Sequence, residues 1–233
     1  MNMLALSDVD SFYGRSHALH GVSMTVPERA ITAVLGRNGV GKTTLLKTIM
    51  GLIDRMQGRI ELQGNDIAPQ PAFRRARLGI AYVPQGREII PDFSIRENIL
   101  MGAFARPDGK RAIPDIVGRL FPYLIQNLDR PGGVLSGGQQ QQLAIARALA
   151  ADPKVLLLDE PTEGIQPSIV EEIENLIVRL NEEVGITVVL VEQNVSFARR
   201  AADGFVMMEK GRIVASGGIA DLTDDVVHRH MAV

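Results

Sequence analysis

The sequence predicts an α/β protein with a mostly parallel sheet and flanking helices, joined by an N-terminal antiparallel β subdomain and an inserted α-helical subdomain. Short apolar runs alternate with helical patterns in both the first and last thirds of the chain, which is typical of a parallel sheet between helices. Residues 4–26 show the mixed alternation of an antiparallel sheet. Residues 87–151 instead contain helical patterns separated by Pro and Gly, which predicts the helical insert.

The predicted elements follow from these patterns. The core strands are short and apolar, over residues 30–35, 58–62, 80–83, 155–158, 187–191 and 204–209, with a turn at 64–66. Core helices are predicted over residues 42–50 and 168–184, and insert helices over 94–105, 114–126 and 139–151. We therefore expect a single domain, residues 1–233, with a core of 1–86 and 152–233 and a helical subdomain of about 87–151.

Composition and charge narrow the function classes. The 233 residues include no cysteine, which excludes disulfides and thiolate metal sites and suits the cytosol. The net charge of −2 gives no basic surface for nucleic acid. The first residues lack the pattern of a secretory signal, and no apolar run approaches the roughly 18 residues that span a bilayer. Any membrane role is therefore expected to come through a partner.

The segment between the predicted strand 30–35 and the predicted helix 42–50 matches the phosphate-binding pattern G-x-x-x-x-G-K-[ST]. It reads Gly36-Arg37-Asn38-Gly39-Val40-Gly41-Lys42-Thr43-Thr44, and we call it the phosphate loop. Its backbone N–H groups and the helix N-terminus attract phosphate oxygens. Lys42 is expected to reach the β- and γ-phosphates and Thr43 to bind Mg²⁺. The pattern predicts a P-loop NTPase core.

Two acidic residues end the predicted strand 155–158. Asp159 is the expected second metal ligand, because ligands of open α/β sheets bind beyond the carboxyl ends of the strands. Glu160 is placed to orient or deprotonate the attacking water. The alternative is a solvated acidic turn before Pro161. We favour the metal and water roles because the phosphate loop requires such groups.

A second glycine-containing helix start follows the break at residues 131–133. We call Leu135-Ser136-Gly137-Gly138-Gln139 the signature segment; its amides and the Ser136 hydroxyl can bind an anion. A simple Ser N-cap is the alternative. One chain cannot easily bring both helix starts to the same phosphate. The pattern therefore suggests two subunits that share nucleotides.

Together with Gln85, these motifs resemble the ATP-binding subunits of ABC transporters over essentially the whole chain. The resemblance implies ATP and Mg²⁺ as cofactors and a head-to-tail dimer with a second ATP-binding subunit, each ATP lying between one phosphate loop and the other signature segment. It implies that Tyr13 stacks on adenine and that Gln85 contacts the metal or the water. It also implies two transmembrane permease subunits that bind near residues 87–99, a solute-binding protein acting indirectly, and a peripheral position on the cytoplasmic face of the membrane.

Two positions depart from the general family pattern. Gln193 stands where most members carry a histidine that contacts the γ-phosphate, and His17, His20, His228 and His230 cannot substitute for it locally. Glutamine can donate a hydrogen bond to phosphate but cannot become a cation. Gln166 replaces the usual aspartate after the Glu-Pro-Thr segment. In the family this loop links the two ATP sites of the dimer, so the coupling between these sites is expected to differ. Gln193 resembles the branched-chain amino acid importer class.

Within that class, residues 86–89, 160–168 and 230–233 resemble the urea-importer subunit more closely, so urea is the predicted solute and a branched-chain amino acid the alternative. Two further hypotheses belong to other classes. A soluble ABC ATPase that acts on DNA or ribosomes usually has a tandem cassette, a coiled-coil insertion or a basic surface, which this chain lacks. A self-contained kinase or GTPase leaves the signature segment unexplained.

Overall fold

Two sheets and a group of helices make up the protein in the computed structural model, which describes residues 1–231. In chain order the strands are β1 (Asn2–Tyr13), β2 (Ser16–Pro27), β3 (Ile31–Leu35), β4 (Arg55–Leu62), β5 (Asn65–Asp66), β6 (Ile80–Val83), β7 (Val155–Asp159), β8 (Thr187–Glu192), β9 (Gly204–Glu209) and β10 (Arg212–Gly218). The helices are α1 (Lys42–Met50), α2 (Ala72–Arg77), α3 (Ile95–Gly102), α4 (Asp115–Leu120), α5 (Pro122–Gln126), α6 (Gly137–Leu149), α7 (Pro167–Val184), α8 (Val195–Ala201) and α9 (Asp224–Met231).

The central sheet has six strands in the order β10-β9-β3-β8-β7-β6. Neighbours are parallel from β9 to β6, whereas β10 is antiparallel to β9. A second sheet, β2-β1-β4-β5, is antiparallel throughout. The predicted fold class is therefore confirmed, and the short parallel strands explain why the sequence shows continuous apolar runs rather than alternation.

Strands β3, β7 and β8 bury both of their faces, and alternate residues enter different layers. On β3, Ala33 and Leu35 pack with the helices α3 to α8, whereas Val34 packs with α1 and the antiparallel sheet. All residues of β3, β7 and β8 are buried. The parallel register pairs Leu35 with Glu192 and Asp159 with Val191. The ends of these strands, and the segments that follow them, therefore lie side by side at one edge of the sheet.

Several predicted boundaries were wrong for local reasons. The predicted helix 114–126 is two helices, because Phe121 adopts φ −128° and ψ 60° before Pro122, which disfavours helical geometry in the preceding residue. The helix predicted over 94–105 ends at Gly102 and continues only as a 3₁₀ turn. Residues 65 and 66 pair with β4 instead of forming only a turn.

The sequence interpretation missed α2, α8, α9 and β10. Of the urea-like ending, Ala232 and Val233 lie outside the described residues.

Gly102 provides a test of how α3 packs on α6. A Cβ at Gly102 would lie 1.8 Å from the Arg147 carbonyl oxygen, which is backbone and cannot move aside. We expect Gly102→Ala to lower the free energy of unfolding by about 2 kcal/mol or more. The matched control is Gly118→Ala in α4, where the nearest atom is 3.9 Å away. That variant should gain up to about 1 kcal/mol from helix propensity. Urea denaturation measures both, and equal stabilities would contradict the close packing of α3 on α6.

Candidate active site

The phosphate loop connects β3 to α1, and its first residue packs closely against the backbone of β9. Gly36 is buried at φ 150°, and a Cβ there would lie 2.6 Å from the Met208 carbonyl oxygen, so only glycine fits. Helix α1 begins after Gly41 without a side-chain cap and with no acidic residue in its first turn. Its N-terminal partial positive charge is therefore available to an anion.

Lys42 is almost fully buried at the base of the loop. It is 4% exposed, and its Nζ donates to the carbonyl oxygens of Gly36 (2.9 Å) and Arg37 (3.1 Å). The same atom lies 3.2 Å from Oε1 of Glu160. The ammonium group thus joins the phosphate loop to the end of β7, where the predicted water-activating carboxylate lies.

The two predicted metal ligands Thr43 and Asp159 lie together. The Thr43 hydroxyl donates to Oδ1 of Asp159 at 3.1 Å, and the Tyr82 hydroxyl donates to Oδ2 at 3.1 Å. Burial raises the pKa of Asp159, and these two donors partly oppose that rise. Burial and the neighbouring Asp159 also raise the pKa of Tyr82, which keeps the phenol protonated as a donor. A bound divalent cation would favour the charged carboxylate.

Besides its ion pair with Lys42, Glu160 makes two further contacts that hold it in place. It adopts φ 45°, an uncommon conformation for a residue other than glycine, and its N–H donates to the Val191 carbonyl oxygen at 3.0 Å. Its Oε2 accepts a hydrogen bond from Nε2 of Gln193 at 2.9 Å. Gln193 follows the buried Glu192, whose carboxylate accepts from the Thr162 hydroxyl at 2.8 Å and from the Gln193 N–H at 3.1 Å. Burial raises the pKa of Glu192. The structure therefore brings Gln193 to the predicted water-activating group.

The hydrogen bond between Gln193 and Glu160 leads to a prediction. Gln193→Ala removes the donor and should lower ATP turnover by about 100-fold, the order seen when one preorganised donor is lost. Gln193→His retains an N–H donor and should stay within about tenfold of the unchanged chain. Steady-state phosphate release by the assembled complex measures both variants. A histidine variant as inactive as the alanine variant would show that the amide itself is required.

Gln85 and the segment after it connect the pocket to the helical subdomain. Gln85 lines the pocket, and its Nε2 donates to Oε2 of Glu163 at 2.6 Å. Arg87 donates to the carbonyl oxygens of Glu163 and Gly164, at 3.3 and 3.4 Å. Arg147 of α6 in turn donates to the Arg87 carbonyl oxygen at 2.9 Å. Hydrogen bonds therefore connect Gln85 with α6 through Glu163 and Arg87.

A pocket of about 510 Å³ gathers part of the predicted site. Its walls include the loop residues Asn38, Gly39, Val40, Gly41, Lys42, Thr43 and Thr44, together with Gln85 and Glu160. Gly36, Arg37, Asp159 and Gln193 do not line it; Gly36 and Asp159 are buried, and Gln193 contacts Glu160 instead. Tyr13 ends β1 with 38% of its surface exposed and does not line the pocket either. Its contact with adenine stays a prediction.

The signature segment starts α6 and does not line the pocket of its own chain. Ser136 is exposed and accepts a hydrogen bond from the Gln139 N–H at 3.4 Å, while the Gln139 side chain accepts from the Ser136 N–H at 3.1 Å. This capping box satisfies the helix start locally, as the simple N-cap alternative requires. Gly138 packs against Ile169, where a Cβ would approach to 2.4 Å from a side-chain carbon. The exposed Ser136 remains accessible to another molecule.

Two side chains that line the pocket, and Asp159 buried behind Thr43, fit a magnesium nucleotide. The Thr43 hydroxyl, the Asp159 carboxylate and the Gln85 amide supply the hard oxygen atoms that Mg²⁺ prefers, and substrate phosphates and water complete such sites. No cluster of three or more His, Cys, Asp or Glu side chains suited to a metal ion occurs among residues 1–231. Over the same described residues, no helix is long and apolar enough to cross a membrane.

Comparison with known proteins gives the family. The family model described as ABC transporter matches residues 19–163. The high-affinity branched-chain amino acid transport ATP-binding protein BraG of Pseudomonas aeruginosa is 41% identical over 227 residues, 97% of each chain. The chain belongs to the ABC transporter family. Another relative, a probable branched-chain amino acid transport ATP-binding protein of Archaeoglobus fulgidus, is 36% identical over 95% of this chain and 94% of its own length.

Solved structures of ABC cassettes share this fold. An ATP-binding cassette of an ABC transporter in its ADP conformation superposes with a TM-score of 0.83 at 28% identity, over 98% of each chain. The dimeric post-hydrolysis state of another cassette, bound to ADP and Pi, gives a TM-score of 0.81 at 26% identity and covers 93% of this chain and 99% of its own. This ABC cassette is therefore an ATPase that uses ATP with Mg²⁺. The relatives favour the branched-chain amino acid alternative over the predicted urea specificity.

The structure also adds residues to the pocket that the sequence interpretation did not assign to it. His17, Ala18 and His20 from β2 line it, as do Lys210 and Gly211 between β9 and β10. These segments are far apart in the chain and carry no motif, so only the contact between the two sheets brings them to the phosphate loop of the cassette. The sequence interpretation considered the two histidines only as replacements for Gln193.

Proposed function

We propose that this ABC cassette is the ATP-hydrolysing subunit of an importer for branched-chain amino acids. The observation that carries the proposal is the 41% identity to a branched-chain amino acid transport ATP-binding protein over 97% of both chains. Because this similarity extends over nearly the whole chain, it covers the helical subdomain as well as the phosphate loop. It therefore includes the segment expected to bind a permease, residues 87–99, and not only the residues that bind ATP.

The geometry supports a shared catalytic site. Lys42, Thr43, Glu160 and Gln85 line one pocket with the phosphate loop, whereas the exposed Ser136 lies elsewhere on the chain. In the proposed assembly the signature segment of a second ATP-binding subunit covers the nucleotide, and its α6 N-terminus adds positive potential at the phosphates. The dimeric state of a structural relative that is bound to ADP and Pi supports the dimer in this proposal.

In the proposed cycle, ATP closes two ATP-binding subunits and hydrolysis reopens them. Gln85, Arg87 and Arg147 form the hydrogen-bonded connection from the pocket to the helical subdomain, through which closure would move two permease subunits. The cassette would lie at the cytoplasmic face of the membrane, peripherally, and a solute-binding protein would deliver the solute from the other side. The roles of Tyr13, Gln85, Gln193 and the signature segment remain parts of this proposal.

Urea is the second candidate solute. Segment 160–168, with Gln166 exposed at the start of α7, is the observation that favours it, because the sequence there resembles urea-importer subunits. This segment belongs to the ATP-binding subunit and, in the proposed assembly, would not contact the transported solute. The branched-chain proposal therefore takes precedence, because it is supported along the whole chain.

Reconstitution separates the candidates. The cassette, its cognate second ATP-binding subunit and both permease subunits are reconstituted in liposomes loaded with Mg·ATP, and the solute-binding protein is added outside. The proposal predicts uptake of labelled leucine that the Glu160→Gln variant abolishes. Uptake of labelled urea alone would establish the second candidate. A cassette that forms no complex with permease subunits, and instead gains salt-sensitive affinity for nucleic acid with ATP, would support the non-transport ATPase and overturn both candidates.

A further inference from the structure

The order of the strands divides the pocket into two halves. The phosphate loop leaves β3, and β8, β7 and β6 follow on one side with Gln193, Asp159, Glu160 and Gln85 at or just beyond their ends. Strand β9 lies on the other side of β3 and ends at Glu209, directly before Lys210 and Gly211. Apart from Lys42 and Thr43 at the start of α1, the groups suited to metal binding and hydrolysis are thus on the β8 side. If the γ-phosphate of a bound nucleotide lies beside these groups on the β8 side, its nucleoside half points toward β9.

Backbone contacts fix the wall on the β9 side to the phosphate loop. The Gly211 N–H donates to the Val40 carbonyl oxygen at 2.8 Å, and the His20 N–H donates to the Gly211 carbonyl oxygen at 2.9 Å. Gly211 has φ 75°, and a Cβ there would lie 2.2 Å from the Ala18 carbonyl oxygen. This close approach sets His20 beside the loop independently of any ligand.

An aromatic stack positions the His20 ring. The Phe12 and His17 rings are stacked, with centroids 4.3 Å apart and planes at 17°. The His17 and His20 rings are tilted by 53°, with centroids 3.9 Å apart. Asp10 accepts a hydrogen bond from Nε2 of His17 at 2.8 Å, and the Arg55 guanidinium covers the Phe12 ring at 3.9 Å. The contacts between rings therefore run from Arg55 through Phe12 and His17 to His20, and both histidines line the pocket.

The electrostatics of the stack favour an uncharged His20. Partial loss of hydration lowers the pKa of His20, and positive charge at His17 and Arg212 adds to this effect. The hydrogen bond from His17 lowers the pKa of Asp10, so that carboxylate stays charged opposite His17. Near neutral pH the ring beside the pocket is thus a neutral aromatic surface, which suits contact with a purine or ribose more than contact with a phosphate.

We propose that the His20 ring contacts the nucleoside half of the bound nucleotide, and that His17 is the residue that positions it. This inference rests on the ATP site and is independent of the transported solute. It adds to the expected role of Tyr13, which ends β1 outside the pocket lining. The contact would make the site distinguish a nucleoside triphosphate from the triphosphate group alone.

Two ligands test the contact on the purified chain: Mg·ATP and magnesium-bound inorganic triphosphate, each titrated by calorimetry. His20→Ala should weaken ATP binding by about tenfold, within the range for a lost stacking contact, and leave triphosphate binding unchanged. His20→Phe keeps the ring and should restore ATP affinity to within about threefold of the unchanged chain. His17→Ala should cause a smaller loss, again for ATP only.

The selectivity for ATP over triphosphate separates contact from structural damage. Equal weakening of both ligands by His20→Ala, or no weakening of either, would overturn the contact, and so would a phenylalanine variant as weak as the alanine variant. If His20→Ala does not fold, His20→Gln serves the same comparison with a polar side chain that lacks the ring. An unchanged chain that binds neither ligand would instead overturn the ATP site itself.

Discussion

Replacing Glu160 with glutamine is expected to lower ATP turnover by about 100-fold to 10,000-fold, because glutamine cannot accept the proton of the attacking water. The two side chains have the same length, so the hydrogen bond with Gln193 and the buried backbone contact to Val191 persist. The change also removes the negative charge 3.2 Å from Lys42. ATP affinity should therefore hold or improve while hydrolysis stops.

The dimer is the second readout for this variant. A site that is completed by another signature segment and cannot hydrolyse its ATP should hold two subunits together. With Mg·ATP, light scattering is expected to give about twice the 25.3 kDa mass of the chain, or a stable complex with the second ATP-binding subunit. If the Glu160→Gln variant hydrolyses ATP at the rate of the unchanged chain, another group activates the water. Glu182→Gln, which changes an exposed carboxylate on α7 that does not line the pocket, is the matched control for charge loss.

Lys42→Ala is expected to abolish turnover and to weaken ATP binding by about 10- to 100-fold, the range for losing charge-assisted hydrogen bonds to phosphate. The side chain is 4% exposed, so its loss also leaves Glu160 and two loop carbonyl groups without their partner. Lys42 should therefore affect binding as well as catalysis, unlike Glu160. Calorimetry with Mg·ATP and a phosphate-release assay measure the two effects.

A matched lysine controls for the loss of positive charge. Lys47 lies one turn further along α1, is half-buried and does not line the pocket. Lys47→Ala should bind and hydrolyse ATP within about twofold of the unchanged chain, because it makes no contact with the site. Normal turnover by Lys42→Ala would contradict the assignment of residues 36–44 as the phosphate site.

Much of the core was predictable because its signals are local. Strand β6 and helix α1 have the predicted bounds, since apolar runs between glycine turns and a Gly-Lys-Thr helix start leave few alternatives. The meeting of Thr43 with Asp159 was also predictable, since ligand groups gather at the carboxyl ends of parallel strands. The break at Phe121 could have been recognised from Pro122, which the sequence interpretation placed inside a helix.

Other features depend on contacts between distant segments. No sequence pattern connects His20 with Gly211 or Val40, yet two backbone hydrogen bonds join them at the pocket. The antiparallel β10 carries alternate exposed residues and few strong strand formers, so it lacks a clear signal. The contact between Gln193 and Glu160 depends on β8 lying beside β7 with Asp159 opposite Val191. Register of this kind is a property of the assembled sheet.

The sharing of the nucleotide between two subunits is the central claim, and the absence of cysteine in the chain allows a direct test. Ser136→Cys, combined with Glu160→Gln, is labelled with a thiol-reactive photo-crosslinker and assembled with the second ATP-binding subunit. Ser216→Cys, at another exposed serine on β10, is the control. After illumination with Mg·ATP, residue 136 is expected to crosslink to the phosphate loop of another subunit, either a second copy or the partner, as located by mass spectrometry. Crosslinks only within its own chain, or crosslinks that do not depend on ATP, would contradict the shared site.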